Sequence, residues 1–448
     1  MMLRTAPSRP RPLTIPAKGP YRLLNASVPV AMLNPQEIRG RSADFEGLCA
    51  VDIDVTGDGM IGKIQPSCQN GTETACTDGL NIDLGGRVVM SRLAELHAHI
   101  DKTQSWERAP NLDGTYNGAK SGAKSDRINP WTDEDVYTRM SFALECAYAH
   151  GTRSLRTHID SQKKRTQPSW RIFDQLRREW AGKITLQGVI SLGVGKIMGK
   201  YGHTIARHAA EYNACFGPVI YNSENQHKEI IRSFELAEQY NLPLDFHVDE
   251  TLNPLANGLG LIAQTALERG FSKPIICGHV CSLSMKDEEE IASILGLVKQ
   301  AGIGLIAMPM SNLYLQDRSK GAPLFRGCAP MRDIHKAGVA LAIGGDNCRD
   351  AFHPYGDYDM VEVYREAVRI GHLDNTIGHY ANTISSTPER LMGLSQSARL
   401  AKGHFADMII FQGTSFSQIF TRIGAPRSII CNGRMVDAPL PPFPNLDF

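Results

Sequence analysis

Leu244-Asp245-Phe246-His247-Val248-Asp249-Glu250 is an apolar run that ends in a cluster of ionisable groups. It follows a helix-patterned segment from about Glu224 to Tyr240 and a turn at Pro243. A nearly continuous apolar strand fed by an amphipathic helix belongs in a parallel sheet whose outer face is covered by helices. The same unit recurs outward in both directions. Upstream, Thr132 can cap a helix carrying Val136, Met140, Leu144 and Ala147 on one face; Gly151 ends it and Ser154 to Asp160 follows as a strand. Downstream, a helix near Ile262 to Glu268 leads to Ile275 to His279. Another, near Ile291 to Gln300, leads to Ile303 to Pro309, and one near Met331 to Ala337 leads to Val339 to Asp346.

Strands alternating with helices imply parallel pairing with right-handed crossovers. Some six to eight such units in about 300 residues suit an α/β fold, a closed (β/α)8 TIM-like barrel. An open doubly wound sheet is the alternative. Both chain ends read differently. Ala50 to Val55, with the turn Gly57-Asp58-Gly59, and later Ala406 to Phe411 and Ser428 to Arg434, read as short strands. The expected organisation is therefore a flexible tail over residues 1–20 and a small β-sandwich domain formed by residues 21–90 and 397–448. The catalytic barrel would span residues 91–396.

The chain has 448 residues, with Lys+Arg 48 against Asp+Glu 47. That balance provides no field to attract nucleic acid or an anionic membrane. No apolar run approaches the ~18 residues of a membrane helix, and the Pro- and Arg-rich start holds no signal-peptide core. The expectation is a cytoplasmic homo-oligomer acting on a small molecule, its ten Cys reduced. A dinucleotide fingerprint, a phosphate loop and the His-x-Glu with Pro-Cys-x-x-Cys signature of the nucleobase-flipping zinc deaminases are all absent.

Chemistry-bearing residues fall repeatedly at the ends of the expected strands: His97 and His99, His158 and Asp160, His247 and Glu250, His279, and Asp346. In a barrel those ends converge on one mouth. His97 and His99 are two apart on a strand, so both imidazoles share a face and can reach one ion. With His247 and Asp346 they form a candidate metal site that leaves a position open for water, and imidazole suits Zn²⁺ and Fe²⁺ alike. A metal-bound water becomes hydroxide near neutral pH. Glu250, three residues past His247, suits the proton shuttle that hydrolysis of an amidine-type carbon needs. His279 can hold or polarise the water, and Asp346 can accept its proton. His158 and Asp160 face the same mouth, for substrate contact or ligand orientation, while Phe352 and Tyr314 are candidates to stack on a planar ring. Each residue also has a structural reading: Glu250 as a helix-start carboxylate, His279 as a hydrogen-bonded core group, Phe352 and Tyr314 as barrel packing.

The run Glu95-Leu96-His97-Ala98-His99-Ile100-Asp101-Lys102-Thr103-Gln104 resembles the first-strand motif of cytosine deaminases in the amidohydrolase superfamily. Arg156 to Asp160 resembles the family's third-strand segment, Asp245 to Glu250 its fifth-strand motif, and Pro309 to Arg318 the stretch after its seventh strand. The resemblance implies one divalent ion, Zn²⁺ or Fe²⁺, on His97, His99, His247 and Asp346, with Glu250 as shuttle, His279 beside the water, and no bridging carboxylated lysine. Three departures concern the substrate. Ile190-Ser191-Leu192 stands where cytosine deaminases place a substrate-reading Gln, and Leu192 has no hydrogen bond to give. Asn347 follows Asp346 where they carry a second Asp. Asp346 to Asp350 with Pro354-Tyr355-Gly356, and the Lys102 position, resemble N-isopropylammelide amidohydrolases instead.

The expected activity is hydrolytic deamination of a small cytosine- or isocytosine-like heterocycle. Release of an alkylamine from an N-alkylated triazine-like ring is the alternative. A non-catalytic metal-binding barrel is a third, which predicts a broken ligand set.

Overall fold

The computed structural model describes residues 13–39, 42–67, 79–127, 131–162, 166–318, 321–394 and 398–446; residues 1–12 of the expected tail lie outside these. The N-terminal strands β1 (Tyr21–Pro29), β2 (Leu48–Val55), β3 (Ile61–Pro66) and β4 (Leu80–Asp83) form one four-stranded sheet in the order β3-β2-β1-β4. β5 (Val89–Ser91) then leaves for a second sheet.

Eight strands follow: β6 (Leu93–Ala98), β7 (Thr152–Asp160), β8 (Thr185–Gly193), β9 (Cys215–Val219), β10 (Leu244–Val248), β11 (Ile275–His279), β12 (Gly304–Ala307) and β13 (Leu341–Ile343). They pair in sequence order, each parallel to the next. A parallel bridge between Ala98 and Asp346 joins the two edges, and Asp346 N–H donates to the His97 carbonyl at 2.8 Å. The sheet is thus a barrel, not the open alternative. β14 (Met408–Ile410), β15 (Ser428–Cys431) and β16 (Arg434–Val436) return to β5 and complete the second sheet, in the order β16-β15-β14-β5. Both ends of the chain therefore build the small β module, as their patterns predict.

The spacing places helices well. Thr132 caps the helix Asp133–Ala149 by accepting from Asp135 N–H, and Gly151 follows at φ +95°. Two placements need correcting. The strand of His158 is the second of the barrel, where the resemblance implies the third, and that of Leu192 is the third, where the resemblance implies the fourth. The fourth strand is β9, which carries Pro218 and Gly217 and is only five residues long. Its lack of a long apolar run hides it from periodicity. Helix α1 (Tyr116–Asp126) also lies in a stretch where Gly118 and Gly122 obscure a helical pattern. Both glycines sit where packing excludes a Cβ: at Gly118 it would meet Asp113 Oδ1 at 2.1 Å, and at Gly122 the Ala351 Cβ at 2.9 Å.

All eight described cysteines are free, and no helix of the described residues is long and apolar enough to cross a membrane.

Candidate active site

The strand ends do converge. His97 and His99 project together from β6, His247 from β10 and His279 from β11, and Asp346 follows β13. Asp346 Oδ1 lies 3.3 Å from His99 Nε2 and 3.5 Å from His97 Nε2, and His99 Nε2 lies 3.3 Å from His247 Nε2. All are buried, with His97 fully enclosed and Asp346 3% exposed.

Such a cluster needs explaining, because buried polar atoms are ordinarily satisfied. Among the described residues, His97 Nδ1 and Nε2, His99 Nδ1, His247 Nδ1, His279 Nε2 and Asp346 Oδ1 lack any hydrogen-bond partner. Burial, reinforced by neighbouring imidazoles, holds His97, His158 and His247 well below their ordinary pKa, and burial also lowers His99. Neutral imidazoles beside a carboxylate, with lone pairs unspent in a dry site, are the donor set of one divalent cation. Zn²⁺ and Fe²⁺ both suit it.

The backbone is held in rare conformations here. His279, Val280 and Asp346 have φ of +73°, +44° and +63°. A β-branched residue in that region is an outlier, and such strain collects at functional sites. Glu95 anchors the layer beneath: its carboxyl accepts from His97 N–H and Gly345 N–H, both at 2.8 Å, tying the first strand to the turn before Asp346. Ser311 Oγ donates to Asp346 Oδ2 at 2.5 Å, and Asn312 Nδ2 lies 3.0 Å from His279 Nδ1. Both belong to the short helix Pro309–Leu315 after β12. The sequence gives no role to either; their place just past a strand end is the signal that could have found them.

Glu250 forms one wall. Its carboxylate stands 3.6 Å from His279 Nδ1, and burial pushes its pKa up to about 7 against the pull of His279, Lys102 and Lys120. The cavity above the cluster has a volume of about 570 Å³, and Asp160, Leu192, Asn347 and Phe352 are among the residues that line it.

Two expected contacts do not line this cavity. Tyr314 packs 5.8 Å from the His353 ring with the Arg318 guanidinium over its face. It is held there because its helix turns it toward the Asn111 loop. His158 is fully buried behind His97, ring centroids 3.9 Å apart, and its Nε2 lies 3.3 Å from Asp245 Oδ1. His158 does join a potential ligand group with His97, His99 and His247, while His97, His279 and Asp346 form a second.

Asp245 in turn receives Arg156 Nη1 at 2.8 Å. Burial raises the Asp245 carboxyl to about 6 and Arg156 opposes that rise. Arg156→Ala would leave a carboxylate enclosed and unpaired, a change that typically costs about 3–5 kcal/mol. Thermal melts at fixed metal loading should therefore fall by several degrees, with Arg156→Lys recovering part. A melt indistinguishable from wild type would show that Asp245 is neutral and self-sufficient.

Lys102, whose Nζ sits 4.3 Å from the Phe352 ring centroid, lines the cavity too, and three lining residues escaped the sequence reading: Tyr116 and Lys120 on α1, and Tyr221 after β9. Each belongs to a loop or to the helix that periodicity hides.

The chain matches the amidohydrolase family over residues 194–437. A protein named pterin deaminase from Rhizobium rhizogenes (strain K84) is 35% identical over 434 residues, 96% of this chain and 97% of that protein. N-isopropylammelide isopropyl amidohydrolase from Pseudomonas sp. (strain ADP) is 22% identical, covering 86% of this chain and 93% of its own length. Among solved structures, 5-methylcytosine deaminase from Klebsiella pneumoniae superposes with a TM-score of 0.78 at 22% identity, covering 93% of this chain and 98% of that one, which is a likeness of fold. Family match, barrel and metal-ready cluster agree: the chain belongs to the amidohydrolase family and is a hydrolase acting on C–N bonds.

Proposed function

We propose that this chain is a hydrolytic deaminase that removes an exocyclic amine from an amidine-type carbon of a planar heterocycle bearing the amino-oxo edge shared by isocytosine and pterin. The observation that carries the proposal is Glu250, standing 3.6 Å from His279 at the wall of a cavity floored by unsatisfied imidazoles. The relative named pterin deaminase supports a fused ring, and a cavity of about 570 Å³ has room for one.

His97, His99, His247 and Asp346 would hold the divalent cation. When bound, the cation activates water for attack at neutral pH. Glu250 takes the first proton of the attacking water and gives it to the ring nitrogen; the second, left on the new hydroxyl, goes by way of Asp346 to the departing amine. The water oxygen bonds to carbon, the C–N bond breaks, ammonia leaves and the ring keeps a carbonyl. Asn312 beside His279 Nδ1 orients the ring so that its unpartnered Nε2 is the atom free to hold the reacting oxygen. Phe352, backed by the Lys102 ammonium, offers a flat face to the ring.

A second reading, alkylamine release from an N-alkylated triazine-like ring, is favoured by Lys102 and Asn347 in the cavity wall. A screen separates the two. Ammonia release is measured over pterin, isocytosine, cytosine, 5-methylcytosine, isoguanine, creatinine and amino-triazines, with alkylamine release from N-alkylated rings beside it. Ammonia from pterin or isocytosine is the expected result, abolished by chelation and restored by Zn²⁺ or Fe²⁺. No ammonia from any ring with metal-loaded protein, or full activity after complete metal removal, rejects the proposal.

A further inference from the structure

The outer half of the cavity has a chemistry that the reaction itself does not require. Tyr116, Lys120 and Lys124 are spaced i, i+4, i+8 on α1, one stripe of the helix, and all three line the cavity. Lys120 Nζ lies 5.6 Å from the Tyr116 ring centroid and 5.2 Å from that of Tyr221 on the opposite wall. Neither Lys120 nor Lys124 has an ion-pair partner among the described residues. Arg127, which ends the helix, faces Asp160 at 3.0 Å, and Lys196 and Glu229 complete this end. Lys120 and Lys124 thus bring positive charge to this end that no ion pair among the described residues matches.

The deeper Lys102 is placed differently. It is only 8% exposed, lines the same cavity, and its ammonium makes a ring contact but no ion pair among the described residues. It stands in the field of the Asp101, Asp160, Glu250 and Asp350 carboxylates, so the charge left unmatched is that of Lys120 and Lys124 on α1. The reacting edge of a ring must face Glu250 and the imidazoles, so the opposite edge points toward α1.

We propose that this outer half is an anion subsite, in which Lys120 and Lys124 receive a carboxylate or like anionic substituent on the edge of the heterocycle far from the exchanged amine. It rests on the deaminase reading above for the ring's orientation. Tyr116 and Tyr221 flank the ring between the two ends. The natural substrate is then a substituted, negatively charged heterocycle, larger than a free pyrimidine base.

The test uses metal-loaded full-length protein and a matched pair, pterin and pterin-6-carboxylate. Steady-state ammonia release gives kcat/KM for each. Kd for each comes from fluorescence titration of the Glu250→Gln protein, in which turnover is suppressed. Wild type should prefer the carboxylated ring, and the preference should shrink as NaCl rises from about 0.05 to about 0.5 M. Lys120→Ala/Lys124→Ala should cut the preference ratio by roughly tenfold, the sum of two partly exposed ion pairs. Lys120→Arg/Lys124→Arg should keep it. An unchanged ratio in the alanine double variant, or a wild type that favours the neutral ring, overturns the subsite. If neither ring releases ammonia yet lysine-dependent preference persists in Kd, the activity reading fails while the subsite stands.

Discussion

Glu250→Gln is expected to keep its metal and lose about two to four orders of magnitude in kcat/KM, the usual contribution of a positioned proton-transfer group. The amide matches the carboxylate in size and can still face His279, so the cavity wall survives. What it loses is the proton. Burial lifts the Glu250 acid to about 7, where the group gives and takes protons with almost equal ease. The sign follows from the role. The free enzyme must start with Glu250 ionised, so kcat/KM rises with pH as the carboxyl loses its proton, and a cation in the site moves that limb from about 7 downward. In Glu250→Gln the limb disappears, because an amide does not titrate. Ammonia-release profiles and metal content measured by plasma mass spectrometry read the two effects apart. A variant with near wild-type rate across neutral pH ends the assignment, and so does one that has shed its metal.

The chemistry of this site was far more legible in the sequence than its specificity, for a physical reason. His97, His99, His247, His279 and Asp346 stand at or just past strand ends, and strand ends are set by apolar runs that a single sequence displays. Once Leu244 to Val248 and Ile275 to His279 are read as parallel strands, closure of the barrel brings their last residues together. The β module was legible on the same ground, its short strands bounded by turns such as Gly57-Asp58-Gly59.

The cavity walls follow no such rule. Tyr116 and Lys120 lie on a helix whose Gly118 and Gly122 serve close packing at the expense of helical pattern. Tyr221 follows the short fourth strand, whose Pro218 and Gly217 argue against a strand at all. At Gly217 a Cβ would come within 2.4 Å of Val189 Cγ1, so glycine is demanded by a neighbour that only the fold supplies. Tyr314 lies off the cavity lining for the converse reason. Its position after the seventh strand is right, but on a helix rotation decides which side chain faces the cavity, and Ser311 and Asn312 take the inward places.

Asp346 provides the sharpest test of the cluster, and two substitutions separate its jobs. Its backbone N–H closes the barrel onto the His97 carbonyl, a contact that any residue but proline keeps. Its φ of +63° suits Asp and Asn and penalises Ala by about 1–2 kcal/mol. Its Oδ1 stands within 3.5 Å of two imidazole nitrogens, and its Oδ2 accepts from Ser311. Asp346→Ala should therefore lower both stability and metal content, with no measurable turnover. Asp346→Asn keeps the backbone preference and the shape, and removes only the charge. It should fold as wild type does by thermal melt, yet bind metal substoichiometrically and release no ammonia. The argument turns on the anion: four neutral donors hold a divalent ion less firmly than three neutral donors and a carboxylate, and only the carboxylate can take a proton from the water beside it. An Asp346→Asn enzyme that is fully loaded and active would mean that His158 or His279 completes the ligand set, and the site would have to be rebuilt around the second layer of imidazoles.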